Sequence, residues 1–144
     1  MNSRVNVSKL FIAAAIIFVV KTLLDYLFNR FVEASWIPEM FPAPKPEDVM
    51  MSRVWVYLSR VVFAIMFTFV YTKGYEGKAG LGEGLRYGFY IGLMLYLPTM
   101  FANLVVTTAP ASFVVTHNLV SLVEAIICGL VVGMTYKSAK PAAA

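Results

Sequence analysis

Long apolar runs separated by short polar or glycine- and proline-rich segments dominate this sequence. A helix that crosses a lipid bilayer needs about 20 mostly apolar residues. Four runs of this kind occur, at about residues 8–31, 50–73, 83–108 and 111–136. The pattern predicts an all-α fold in which residues 1–144 form one transmembrane domain, an integral membrane four-helix bundle.

The segments between these runs contain residues that interrupt helices. An outer loop at residues 32–49 is rich in proline, which lacks the amide hydrogen that a helix interior needs. Glycines recur between Gly74 and Gly82, and the third connection is a short corner at Thr108–Pro110. A corner this short predicts that the third and fourth helices are antiparallel neighbours.

The composition supports a membrane location. Hydrophobic residues make up 60% of the chain and charged residues only 14%, and the mean hydropathy is +0.74. Such values do not fit an ordinary soluble surface. The net charge of +4 comes from basic residues spread over loops and chain ends, so we expect a lipid bilayer and no nucleic acid as partner.

The distribution of basic residues predicts the orientation, because Lys and Arg concentrate in cytoplasmic loops. Seven lie at the chain ends and in the second connection, namely Arg4, Lys9, Lys73, Lys78, Arg86, Lys137 and Lys140. The opposite side has Arg30, Lys45 and Arg53. We therefore expect a multi-pass protein of the cell (inner) membrane with both termini cytoplasmic. Aromatic residues cluster near predicted helix ends, where their rings anchor helices at the membrane surface: Trp36, Trp55, Tyr57, Tyr71, Tyr75, Tyr87 and Tyr136.

The first run also fits a secretory signal peptide, because a basic start precedes an apolar stretch. After Val20, however, the chain reads Lys-Thr-Leu-Leu-Asp, without the small residues of a cleavage site, and apolar character resumes through Phe31. This pattern favours an uncleaved first helix.

Four charged residues fall inside the predicted spans: Lys21, Asp25, Arg60 and Glu124. A charge at the centre of a membrane helix costs roughly 2.5 to 3.5 kcal/mol, so such residues normally have partners. Counted inward from the outer surface, Asp25 and Arg60 lie at similar depths, and so do Lys21 and Glu124. The spacing predicts an Asp25–Arg60 pair and a Lys21–Glu124 pair, with a further contact between Lys21 and Asp25 across one helical turn.

Further polar residues extend these charges into a predicted polar seam in the outer half of the bundle: Asn29, Asn103, His117 and Ser121. One hypothesis is that the seam joins the helices through mutual hydrogen bonds. The other is that it lines a pathway or pocket, as membrane-embedded ionisable residues often do. Histidine changes protonation near neutral pH, so His117 is the candidate proton carrier under the second hypothesis.

Small residues recur at four-residue spacing on the last two helices: Gly84, Gly88 and Gly92 on the third, Gly129 and Gly133 on the fourth. This spacing lets two membrane helices approach closely. It indicates either contact between these two helices or a dimer face between subunits, and the spacing alone does not distinguish them.

No constellation for hydrolysis, metal binding or cofactor binding emerges from the sequence. The single Cys128 and the single His117 do not provide a metal-ligand set. The Gly-rich stretch at residues 77–84 lacks the Lys-Ser/Thr ending and the preceding strand of a phosphate-binding loop. We expect no catalytic residue, no metal and no cofactor, although an enzyme is not excluded.

The second half of the chain resembles small four-helix bacterial membrane proteins of unknown function over roughly residues 75–137. The resemblance rests on residues 84–88 (Gly-Leu-Arg-Tyr-Gly), Asn103, residues 117–120 (His-Asn-Leu-Val) and residues 129–133 (Gly-Leu-Val-Val-Gly). It implies the same topology and a bacterial origin. We expect a structural or accessory subunit of a membrane complex, or a homo-oligomer. The alternative is a small transporter or channel that uses the polar seam.

Overall fold

A computed structural model describes residues 6–33, 46–75 and 80–136, and all regular structure in these ranges is helical. Helix α1 spans Val7–Phe28 and continues as a π-helical turn at Asn29–Glu33. Helices α2 (Pro46–Gly74), α3 (Gly80–Val106) and α4 (Ala111–Thr135) follow. These four helices of the described chain are long and apolar enough to cross a membrane, which confirms the predicted all-α, four-helix architecture.

Two helices begin three or four residues earlier than the sequence pattern predicted. Helix α2 begins at Pro46 instead of residue 50. Proline fits the first turn of a helix, because an amide hydrogen at that position would make no hydrogen bond within the helix. Helix α3 begins at Gly80 instead of residue 83, because Gly80 packs against Gly133 of α4. The other prolines of the predicted outer loop, and Gly77 and Lys78, lie outside the described residues.

Glycine-to-glycine packing joins α3 to α4, and these two helices form the most extensive pair in the bundle. A Cβ atom built on Gly84 would collide with the carbonyl of Gly129. One built on Gly88 would lie 2.5 Å from the carbonyl oxygen of Ala125. The glycine stripe therefore serves the contact between the two helices within one chain, and the dimer face is not needed to explain it.

Aromatic rings fill the space between α2, α3 and α4. The Tyr71 ring lies 5.1 Å from Tyr87 and 6.1 Å from Tyr136, and Phe67 lies 4.8 Å from Tyr87, measured between ring centroids. The Tyr87 hydroxyl donates a hydrogen bond to the backbone carbonyl of Phe67. Tyr71 and Tyr136 are each only 2% exposed, so the prediction that they anchor helices at a membrane surface is wrong, because they pack inside the bundle.

The bundle has two ends of different character. The terminal half contains the start of α1 and the end of α4, where Leu10, Ile17, Tyr71, Val132 and Tyr136 belong to one buried core. The corner half contains the connection between α3 and α4 at residues 107–110. All four charged residues singled out in the sequence lie between this core and the corner end.

Candidate functional site

Four charged side chains form one continuous network between α1, α2 and α4. The Nε atom of Arg60 lies 2.7 Å from Oδ2 of Asp25, and Nζ of Lys21 lies 2.5 Å from Oε2 of Glu124. Lys21 also contacts Oδ1 of Asp25 one helical turn away. Both interhelical pairs and the contact within α1 are therefore as the sequence predicted.

Packing one turn away from the network fixes these positions. Ile17 precedes Lys21 by four residues and Cys128 follows Glu124 by four, and both are fully buried in the same core cluster. Side chains four residues apart lie on one face of a helix. The apolar contact between α1 and α4 thus aims Lys21 and Glu124 at each other.

The network alternates in sign, and Lys21 and Glu124 are more buried than Arg60 and Asp25. Its order is Arg60, Asp25, Lys21, Glu124, and the formal charges of the four groups cancel. The side chains of Arg60 and Asp25 are 20% and 22% exposed, that of Lys21 is 12% and that of Glu124 is 3%. The positive end is therefore the accessible one, and the negative end lies deepest.

A partly open cleft of about 680 Å³ surrounds the network. Pockets for small molecules typically measure about 300–1,000 Å³ and combine apolar walls with a few polar groups. The polar lining, with tyrosine counted as polar, comprises Lys21, Thr22, Asp25, Tyr26, Asn29, Tyr57, Ser59, Arg60, Tyr96, His117, Ser121 and Glu124. The remaining lining residues are apolar: Phe28, Val56, Phe63 and Val120.

Aromatic rings of this lining lie beside the cationic groups. Nζ of Lys21 is 5.9 Å from the centroid of the Phe63 ring, and Cζ of Arg60 is 5.5 Å from that of Tyr57. The face of an aromatic ring attracts a cation at this distance. The cleft therefore offers a favourable environment for positive charge in addition to its two carboxylates.

The other residues of the predicted seam take different positions. Asn29, His117 and Ser121 line the cleft, and the Ser121 hydroxyl donates to the His117 carbonyl oxygen at 2.9 Å. The His117 ring is stacked on Phe113 at 5.6 Å between centroids. Asn103 is not part of the cleft lining. The prediction that it belongs to the same seam rested on depth alone, which does not specify the face of α3 on which a residue lies.

Five polar lining residues were not part of the predicted seam: Thr22, Tyr26, Tyr57, Ser59 and Tyr96. Tyr96 follows Gly92 by four residues, so it continues the glycine stripe that faces α4, and this spacing could have identified it. Thr22 and Ser59 adjoin Lys21 and Arg60 in the sequence. The Thr22 hydroxyl oxygen is buried and has no hydrogen-bond partner among the described residues.

The described part of the chain contains no group of three or more His, Cys, Asp or Glu side chains that could hold a metal ion. The arrangement presents charged and hydrogen-bonding groups to the cleft. No family model, no curated protein and no solved structure matches this chain.

Proposed function

We propose that this chain is an integral membrane protein that crosses the bilayer four times and binds a small polar solute in the charged cleft, as a small transporter does. The cleft itself is the observation that carries this proposal. Charged residues that only join helices are expected to fill the space between those helices, because protein interiors are close-packed. Here the same four charges border about 680 Å³ of open volume.

The proposed orientation places both termini in the cytoplasm of a bacterial cell, in its inner membrane. It is supported by the seven basic residues at the chain ends and in the second connection. The cleft then lies in the outer half of the membrane. A fluorescent protein fused to the C-terminus should fluoresce, and alkaline phosphatase inserted at Ala109 should be active, because phosphatase folds only outside the cytoplasm. The reverse pattern would contradict the orientation.

Helix α2 is the element best suited to move during transport. It meets α3 through aromatic side chains, whereas α3 and α4 are joined by glycine backbones. In the present conformation the buried core of the terminal half closes the bundle beyond Lys21. Passage of a solute would therefore require α2 to separate from the Tyr87 ring.

Cysteine accessibility tests the proposal in membranes. In a Cys128→Ala background, Ser59→Cys introduces a thiol that lines the cleft, whereas Leu58→Cys introduces one on the outward face of the same helix at nearly the same depth. A charged, membrane-impermeant methanethiosulfonate reagent reacts only where water reaches the thiol. We expect rapid labelling of Ser59→Cys and none of Leu58→Cys.

Two outcomes would contradict the proposal in different ways. If neither thiol reacts, the cleft is closed to water and the solute-binding role fails. If both react, α2 is not surrounded by lipid and the membrane-spanning arrangement fails.

An accessory role in a larger complex, or a homo-oligomer, is the second candidate. It is supported by the outward face of α3, which exposes Leu85, Phe89, Tyr90, Met94, Leu97 and Phe101. Lipid or a neighbouring subunit could cover this apolar face equally well. Gentle detergent extraction followed by native mass determination distinguishes them: a fixed stoichiometry with other subunits favours the accessory role, and recovery as a monomer contradicts it.

A further inference from the structure

The order of charges in the cleft determines how a charged ligand would be oriented in it. The network runs from Arg60 at its accessible end to Glu124 at its buried end. In the described part of the chain, the Nε atom of Arg60 donates a hydrogen bond to Asp25. The two Nη nitrogens of the guanidinium can therefore donate to another acceptor. A guanidinium presents such paired donors to carboxylate or phosphate oxygens.

The deep end of the cleft favours a positively charged group. Glu124 is almost fully buried, and Asp25 lies between it and Arg60 along the network. The Phe63 ring already lies beside the Lys21 ammonium at 5.9 Å, and the Tyr96 ring lines the same cleft. Carboxylates and aromatic faces together form a typical environment for an ammonium group.

A ligand with one charge would leave the neutral network unbalanced, whereas a zwitterion would match both of its ends. We infer that the cleft binds a small zwitterion that carries a primary ammonium and an oxyanion, either carboxylate or phosphate. The ammonium enters first and lies near Glu124 and Asp25, and the oxyanion stays at the Nη nitrogens of Arg60. This inference rests on the proposed function, because it names the class of solute for the same cleft.

Calorimetric titration of the purified protein in nanodiscs tests the class of ligand. The discs contain only phosphatidylglycerol, so that no zwitterionic lipid competes. The probes are β-alanine, which carries both charges, and propionate and propylamine, which carry one each. We expect β-alanine to bind at least about tenfold more tightly than either singly charged probe, a difference of about 1.4 kcal/mol. Equal affinity for propionate or propylamine would overturn the inference.

Two further titrations show whether the bound zwitterion is a free solute or a lipid headgroup. Glycerophosphoethanolamine carries the same two charges as the headgroup of phosphatidylethanolamine. If it binds more tightly than β-alanine, and is displaced when phosphatidylethanolamine is added to the discs, the zwitterion is a headgroup. If β-alanine binds more tightly and is unaffected by that lipid, the zwitterion is a free solute. Both results support the inference.

Arg60→Lys tests the orientation of the ligand. Lysine keeps the positive charge beside Asp25 but lacks the paired donors of a guanidinium. We expect the preference for β-alanine over propylamine to fall by about tenfold, while the unfolding midpoint stays close to that of the wild type. Arg53→Lys is the matched control, because Arg53 lies on the same helix, is exposed and does not line the cleft. An equal loss in both variants would overturn the role of Arg60.

The experiments can contradict the zwitterion inference without contradicting the proposed function. If Ser59→Cys is labelled but neither β-alanine nor glycerophosphoethanolamine binds, the zwitterion inference is wrong and the cleft remains a water-filled site. If Ser59→Cys is not labelled, the proposed function is wrong as well.

Discussion

The glycine interface and the charged cleft are both built on α4, on two different faces of this helix. One face carries Ala125, Gly129 and Gly133, which meet the backbone of α3 without intervening side chains. The other carries Val120 and Glu124, which border open volume. Tight backbone packing on the first face holds α4 in place, and a rigid α4 can keep an almost fully buried carboxylate aimed at α1.

This difference separates the residues that form the bundle from those that give the cleft its chemistry. Changes to the glycine face should impair folding and have no effect on ligand preference in the protein that still folds. Changes to the charged face should have the opposite pattern when charge balance is kept.

Gly84→Ala should destabilise the protein by about 3 kcal/mol, because the added methyl group meets the Gly129 carbonyl and neither backbone can yield easily. Gly82→Ala is the control two residues away, where a Cβ would meet nothing within 4 Å. It should be neutral or stabilising by up to about 1 kcal/mol, because alanine favours helix. Unfolding in detergent measures the free energy of unfolding of both variants. Equal stability of the two variants would contradict the glycine interface.

Asp25→Leu should destabilise by roughly 2 kcal/mol, because it removes the shared partner of Lys21 and Arg60 and leaves uncompensated positive charge. This value is lower than for a fully buried pair, since Asp25 is partly exposed. The double variant Asp25→Leu with Arg60→Met restores charge balance and should recover most of the loss. The same unfolding assay measures the recovery, and a double variant no more stable than Asp25→Leu would show that the pair is not coupled.

Tyr87→Phe should destabilise by about 1 kcal/mol, because it removes the hydrogen bond to the Phe67 carbonyl and keeps the ring contacts. Tyr90→Phe is the matched control on the exposed side of the same helix and should have no effect. Unfolding midpoints of the two variants give the comparison. A larger effect for Tyr90 would mean that α3 faces its neighbours differently.

Sequence periodicity and depth were sufficient to predict the helices and the ion pairs. A charge inside an apolar span needs a partner, and only residues at similar depth can meet, which identified Glu124 for Lys21 and Arg60 for Asp25. The corner at Pro110 made α3 and α4 neighbours, and their glycine spacing then allowed close contact. These inferences succeeded because each rests on a local rule that tertiary packing does not change.

The cleft and the aromatic core could not be predicted in the same way. Open volume depends on how side chains from several helices fill space, and no single helix specifies this. Tyr71 and Tyr136 lie near helix ends, where aromatic residues anchor helices at membrane surfaces, yet they pack in the core because α2 lies far enough from α3 to admit rings. Asn103 shows the same limit, since depth does not determine which face of a helix a residue occupies.

Under the proposed function, the charged network binds the ligand and is not required for the fold. The most direct test is the unfolding of a variant that replaces all four charges with apolar residues, Lys21→Met, Asp25→Leu, Arg60→Met and Glu124→Met. Replacing buried ion pairs by apolar residues of similar size is often neutral or stabilising by about 1–4 kcal/mol. We predict a folded protein that is at least as stable as the wild type and no longer binds β-alanine or glycerophosphoethanolamine. A variant that fails to fold would contradict the claim and identify the network as the element that holds the helices together.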